Sequence, residues 1–340
     1  MRAALGLGHG GLGLRSTSHH ASAAFLASWA SALQVGPELD VTFCPNEAKS
    51  CPEVVAALAC FNSKLEPAAN INLDDILSSK QHALSQRLDN AGWQEQLGNA
   101  TIAGRATLLS EASVGGRAFL AAIPSGRTRM EPAAFISELR AGLQIPDADT
   151  DAWCPLCDGV LDIHNYHAGD VCGRWRAHST PLCCPIGHTG LASGRNGNGR
   201  AFCFRKSARR RPADVFLPAF AGSPSALDFA IAAPQRQETL AQASQKPLAA
   251  AAGYAEQKEH LQTAEACRAQ GACFIPMVAE STCAWDADAM IALKHVAQAV
   301  AQSGEDPATC SSLLLQELGV AIRSFRARAA LRRRSEGVAR

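Results

Sequence analysis

Apolar residues recur at helical spacing through most of the first 145 positions. Phe25, Leu26, Trp29 and Leu33 form one stripe and predict a helix over 21–35. Pro52 stands where a first-turn proline is tolerated and opens a second helix over 53–65. Residues 76–97, 105–123 and 131–143 carry further helical patterns, the last two separated by Pro124-Ser125-Gly126. Beyond 211 the period changes. Residues 214–220 and 226–231 read as strands around a Gly-Ser-Pro-Ser turn, and 237–270 as one long helix. A third strand, 272–278, holds Phe274, Ile275 and Val278, and helices over 285–302 and 307–334 close the chain.

Composition breaks between these halves. Residues 145–151 are Pro- and Asp-rich, 152–188 are dense in Cys and His, and 187–199 are rich in Gly, Ser and Asn. The length of 340 residues suits two or three domains of roughly 100–200 residues. The expected division is a helical segment 1–150, a Cys/His module 151–188, a basic flexible linker 189–210, an α/β domain 211–303 and a basic C-terminal helix 304–340. An apolar content of 47% with 19% charged residues excludes a wholly disordered chain. No apolar run approaches the roughly 18–20 residues of a membrane span.

Charge is segregated. Residues 195–211 hold seven basic residues and no acid, and 320–340 hold seven Arg and one Glu. With the whole chain at +1, these stretches leave the remainder at −12. Concentrated basic segments on an acidic chain point to a polyanion, DNA or RNA, with Arg205, Lys206, Arg209, Arg210 and Arg211 as the contacts. The alternative is a solvated loop and a frayed tail.

Thirteen scattered cysteines do not form the dense frame of a small secreted scaffold, so reduced thiols in a nuclear or other intracellular compartment are expected. The first acid is Glu38, and Arg2, Arg15 and several Ser precede it, which leaves an organellar transit segment as a second placement.

Two short motifs carry no chemistry on this reading. Gly6, Gly8 and Gly11 fit a dinucleotide fingerprint, but only five residues precede them, too few for the strand that site needs. A glycine-rich turn is expected. Asp74-Asp75 follow Asn72-Leu73 directly before a helical pattern, so they read as acids at a helix N-terminus.

Cys154-x2-Cys157-x9-His167-x4-Cys172 is the sharpest local signal. Two thiolates on a tight turn, then His and Cys four apart, supply the four tetrahedral ligands of a zinc knuckle. His164 is the second choice for the imidazole, and His178, Cys183, Cys184 and His188 are spare donors nearby. In the α/β segment, Asp214 opens one predicted strand and Asp228 lies in the next, between Leu227 and Phe229. A carboxylate inside an apolar strand needs a partner or a cation, and clustered carboxylates are what Mg2+-dependent phosphodiester hydrolysis requires. Lys258, one helical turn after Tyr254, is the candidate cation for the developing charge. An edge-strand Asp bonded to backbone and a solvated Lys are the plainer alternatives.

The order of these features resembles the C-terminal part of site-specific non-LTR retrotransposon polyproteins. In that family a CCHC knuckle and a restriction-endonuclease-like domain of the PD-(D/E)xK type follow the reverse transcriptase. Residues 10–16, Gly-Gly-Leu-Gly-Leu-Arg-Ser, look like the segment after the polymerase thumb. Residues 120–125, Leu-Ala-Ala-Ile-Pro-Ser, look like the element before the knuckle, and 211–235 and 254–280 look like the nuclease core. The resemblance implies Cys154, Cys157, His167 and Cys172 as zinc ligands. It implies Asp214 and Asp228 as acids for Mg2+, Lys258 as the basic residue, and nicking of target DNA before reverse transcription as the activity. The chain departs from the family in three ways. It has no polymerase palm and so would copy no RNA by itself. Ala213 splits Pro212 from Asp214, and 173–208 lacks the family's acidic helix.

The expected fold class is therefore α+β and multidomain: a helical N-terminal segment, a small zinc knuckle, and a PD-(D/E)xK-like α/β domain with closing helices. The alternative function is a non-catalytic zinc-dependent nucleic-acid-binding module, or a decayed retroelement relic.

Overall fold

The computed structural model describes residues 2–155, 159–169, 213–260, 262–301 and 304–338. It is a mixed α+β structure, and the chain divides into two units, Met1–Ala100 and Thr101–Arg340. The helices between 102 and 143 therefore share a unit with the α/β region, a boundary that helical periodicity could not locate.

The first unit is helical. Its helices are α1 (Thr17–Leu39), α2 (Pro45–Lys49), α3 (Pro52–Asn62), α4 (Leu73–Leu77) and α5 (Gln81–Asn99). Leu26, Val54, Phe61, Ile76, Leu84 and Leu88 form its core. Ser16 caps α1 by accepting from the His19 N–H. The pattern over 76–97 divides into α4 and α5. Asn72 and Asp75 form a reciprocal capping box at the start of α4, so this acid serves a helix end. The Gly6–Gly11 stretch is a single short turn with Gly10 in the left-handed region (φ 71°). A Cβ at Gly11 would lie 2.2 Å from the Leu5 carbonyl oxygen, which explains the glycine without a nucleotide.

The second unit contains α6 (Ile102–Glu111), α7 (Val114–Ala118) and α8 (Pro132–Leu143), then a two-stranded hairpin, β1 (Ala152–Trp153) and β2 (Val160–Leu161), and the short α9 (Tyr166–Gly169). A three-stranded sheet follows, formed by β3 (Val215–Phe220), β4 (Ser223–Ala232) and β5 (Cys273–Glu280), in the order β3-β4-β5. Strand β3 runs antiparallel to β4, and β4 runs parallel to β5. The parallel pair needs a crossover, supplied by α10 (Gln237–Ala243), α11 (Ala249–Glu259) and α12 (Gln262–Ala269). The expected single helix over 237–270 is thus broken, at Leu248 (φ 66°) and again near His260. The turn expected at Gly-Ser-Pro-Ser is Ala221-Gly222, both with positive φ (49° and 87°), and Ser223, Pro224 and Ser225 belong to β4. Two left-handed residues match the twist of a two-residue hairpin better than a four-residue loop does.

Strand β4 presents two faces. Leu227 and Phe229 pack with Met277, Trp285, Leu293, Leu314 and Leu318, a core shared with α13 (Ala287–Ala301) and α14 (Pro307–Val338). Ala226, Ala230 and Ala232 face the crossover helices instead. Alternation along the strand therefore aims Asp228 at α11 and α12. No helix among the described residues is long and apolar enough to cross a membrane.

Candidate functional site: an acid–lysine pair on the central strand

Asp214 precedes β3, and its N–H donates to the Leu227 carbonyl at 3.0 Å. Its Oδ2 accepts from the Phe229 N–H at 2.9 Å. The acid is thus tied to the backbone of β4 one residue from Asp228. Asp228 sits opposite Pro276 of β5. Lys258, in the last turn of α11, donates from Nζ to Asp228 Oδ2. The two side chains are 9% and 23% exposed, so the pair is mostly withdrawn from water. The Tyr254 ring lies 5.8 Å from Nζ. Beneath the pair, burial pushes the Cys267 thiol pKa up, and the charge of Asp228 adds to the shift.

The carboxylates of Asp214, just before β3, and of Asp228, in β4, are of the hard oxygen type that Mg2+ takes, with a lysine beside Asp228. No group of three or more His, Cys, Asp or Glu that could hold a metal ion occurs among the described residues. Glu280, at the end of β5, is an acid that sequence reasoning passed over. It is 1% exposed. Its Oε1 accepts from the Ala250 and Ala251 N–H groups at 3.2 and 3.4 Å, and its Oε2 accepts from the Ser110 hydroxyl. Burial raises its pKa, and these hydrogen bonds oppose the shift. The available signal was a lone charge ending the apolar run 274–279.

The Cys/His segment is placed in part. Cys154 is buried, and its N–H bonds the Gly159 carbonyl at 2.9 Å to extend the β1–β2 hairpin. Asp162 accepts from the N–H groups of His164, Tyr166 and His167, which opens α9. The His167 ring then lies against Gly159, where a Cβ would meet Cε1 at 2.5 Å and Nε2 at 3.0 Å. His167 is therefore next to the hairpin that carries Cys154. His164 instead stacks on Tyr166, with centroids 5.4 Å apart. Cys and His are donor types that zinc takes. Cys157 and Cys172 lie outside the described residues, as do Arg205, Lys206, Arg209, Arg210 and Arg211.

Several of the C-terminal arginines are turned inward, while Arg328 and Arg332 are exposed. Arg323 is 3% exposed, with Nη1 3.3 Å from both Glu111 and Glu138 and Nη2 donating to the Gly116 carbonyl at 2.9 Å. Arg326 also pairs with Glu138. Arg334 donates to Asn165 Oδ1 and to the Asp162 carbonyl, holding the Cys/His segment on α14. Arg333 is buried as well. These cations neutralise internal acids and carbonyls, a use that a charge count along the chain cannot distinguish from a nucleic-acid face. No family model, curated protein or solved structure matches this chain.

Proposed function

We propose that the Thr101–Arg340 unit is a retroelement-derived nuclease module that nicks DNA with a divalent cation, in the nucleus or another intracellular compartment. The observation that carries this reading is Lys258 bonded to Asp228 on the central strand, with Asp214 bonded to the next backbone N–H. Asp214 and Asp228 would hold Mg2+, which when bound polarises a phosphate oxygen and acidifies water. Lys258 stands where it can neutralise charge that develops on the phosphate as the water oxygen–phosphorus bond forms and the bond to the leaving oxygen breaks. That oxygen departs with a proton. Cys154, Cys157, His167 and Cys172 would bind a structural zinc ion, and the 195–211 stretch would hold the DNA backbone.

A second reading is zinc-dependent nucleic-acid binding without cleavage. It is favoured by the same contacts, because the Phe229 N–H and Lys258 supply each acid with a partner in the absence of a cation. A Mg2+-dependent nicking assay on supercoiled DNA tests the choice. Nicking that disappears in both Asp228→Ala and the Asp214→Ala, Asp228→Ala double variant supports the nuclease. Equal nicking by wild type and double variant removes the assigned site. Salt-sensitive DNA retention without nicking gives the second reading.

A further inference from the structure

Helix α11, which carries Lys258, packs on the sheet through small side chains and the half-buried Tyr254. Its buried apolar face is made of alanines, Ala250, Ala251 and Ala255, set against Ala232 and Val278. Its N-terminus has no side-chain cap of its own, because Leu248 is the N-cap residue and lies in the left-handed region. The first intrahelical bond runs from the Ala252 N–H to the Leu248 carbonyl at 2.9 Å. The N–H groups before it have no acceptor within the helix. Two of these, on Ala250 and Ala251, point at Glu280 Oε1.

The spacing of the two carboxylates on the sheet matches the helix above them. Asp228 lies opposite Pro276, so Glu280 is four residues farther along the same face, about 13 Å at ~3.3 Å per residue. From Ala250 or Ala251 to Lys258 is seven or eight helical residues, about 11–12 Å at 1.5 Å each. One sheet face therefore pins the helix at both ends: Glu280 takes the N-terminal amides and Asp228 takes the lysine. Ser110 of α6 holds the other Glu280 oxygen and is itself bonded to the Thr282 hydroxyl, so the carboxylate cannot swing away without breaking that chain.

We infer that Glu280 is the positioning residue for Lys258, capping α11 from the sheet and so setting the depth at which the lysine meets Asp228. The catalytic importance of that position rests on the nuclease reading, whereas the positioning itself does not.

The test uses the full chain and reads Lys258 directly. Reductive methylation is followed by mass spectrometry at Lys258, with the exposed Lys246 as internal reference. Glu280→Leu keeps bulk and removes both acceptors. It should raise the Lys258 rate about tenfold relative to Lys246, the factor expected for a lost cap. Glu280→Gln keeps one oxygen for the amides and an N–H for Ser110, and should restore the wild-type rate. A folded Glu280→Leu protein with unchanged Lys258 reactivity overturns the inference. If that variant does not fold, amide exchange in wild type decides: Ala250 and Ala251 should be protected like helix-interior amides, and open-turn exchange overturns the proposal. Wild-type protein that never nicks DNA would end the nuclease reading and leave both of these measurements standing.

Discussion

Replacing Arg323 by Met removes the cation at the meeting point of α6, α8 and α14. The side chain is 3% exposed, and the two carboxylates it neutralises, Glu111 and Glu138, are 4% and 2% exposed. Its guanidinium also satisfies the Gly116 carbonyl and lies 5.0 Å from the Phe119 ring centre. Glu138 keeps Arg326, so one acid retains a partner cation. Removing one member of a buried ion network costs about 3–5 kcal/mol, because the remaining charge stays desolvated. Arg328→Met on the same helix is the control. Its closest carboxylate, Glu131, is 3.8 Å away and both side chains are more than half exposed, so its loss should cost within about 0.5 kcal/mol. Urea titration of the full chain, followed by tryptophan fluorescence to which the buried Trp285 contributes, measures both. Arg323→Met should lower the midpoint by about 1–2 M, given the usual slopes. Costs for the two variants within about 1 kcal/mol of each other would refute the assignment of Arg323 to an internal network.

Glu280 makes stability depend on pH. Its folded pKa is raised by burial, so its contribution is fully present below the ordinary carboxylate value of 4.5 and is lost as pH rises through the folded value. Glu280→Gln should therefore gain stability relative to wild type as pH climbs above 4.5, and a difference that is constant with pH would remove the argument. Gly159→Ala puts a methyl group into the His167 ring, so on the proposed zinc site it should weaken zinc binding of the full chain by more than about tenfold in a chelator competition. Unchanged affinity would separate His167 from the metal. Burial pushes the Cys283 thiol up to about 12, so iodoacetamide at pH 8 should leave it unmodified in the folded protein while the exposed Cys44 and Cys60 react.

Local chemistry alone determined much of this protein. The helix start at Pro52, the helix-end role of Asp75, the strand pair and the placement of Asp228 inside an apolar strand all follow from neighbours within a few residues. The tertiary structure decided what depends on distant partners. The break before Ala249 is itself local, since Pro247 cannot continue a helix, but that the open helix end after Leu248 meets Glu280 is long-range. Arg323 and Arg326 look like part of a solvated basic tail until Glu111 and Glu138, about 200 residues earlier, are seen beside them. Asp228 and Lys258 were each legible as unusual, but their bond was not. It forms because strand alternation aims the acid at α11 and because the helix rise from Ala250 to Lys258, about 12 Å, comes close to the strand rise from Glu280 back to Pro276, about 13 Å. A sequence records which residue carries a charge; which other charge it meets is set by the long-range register of sheet and helix.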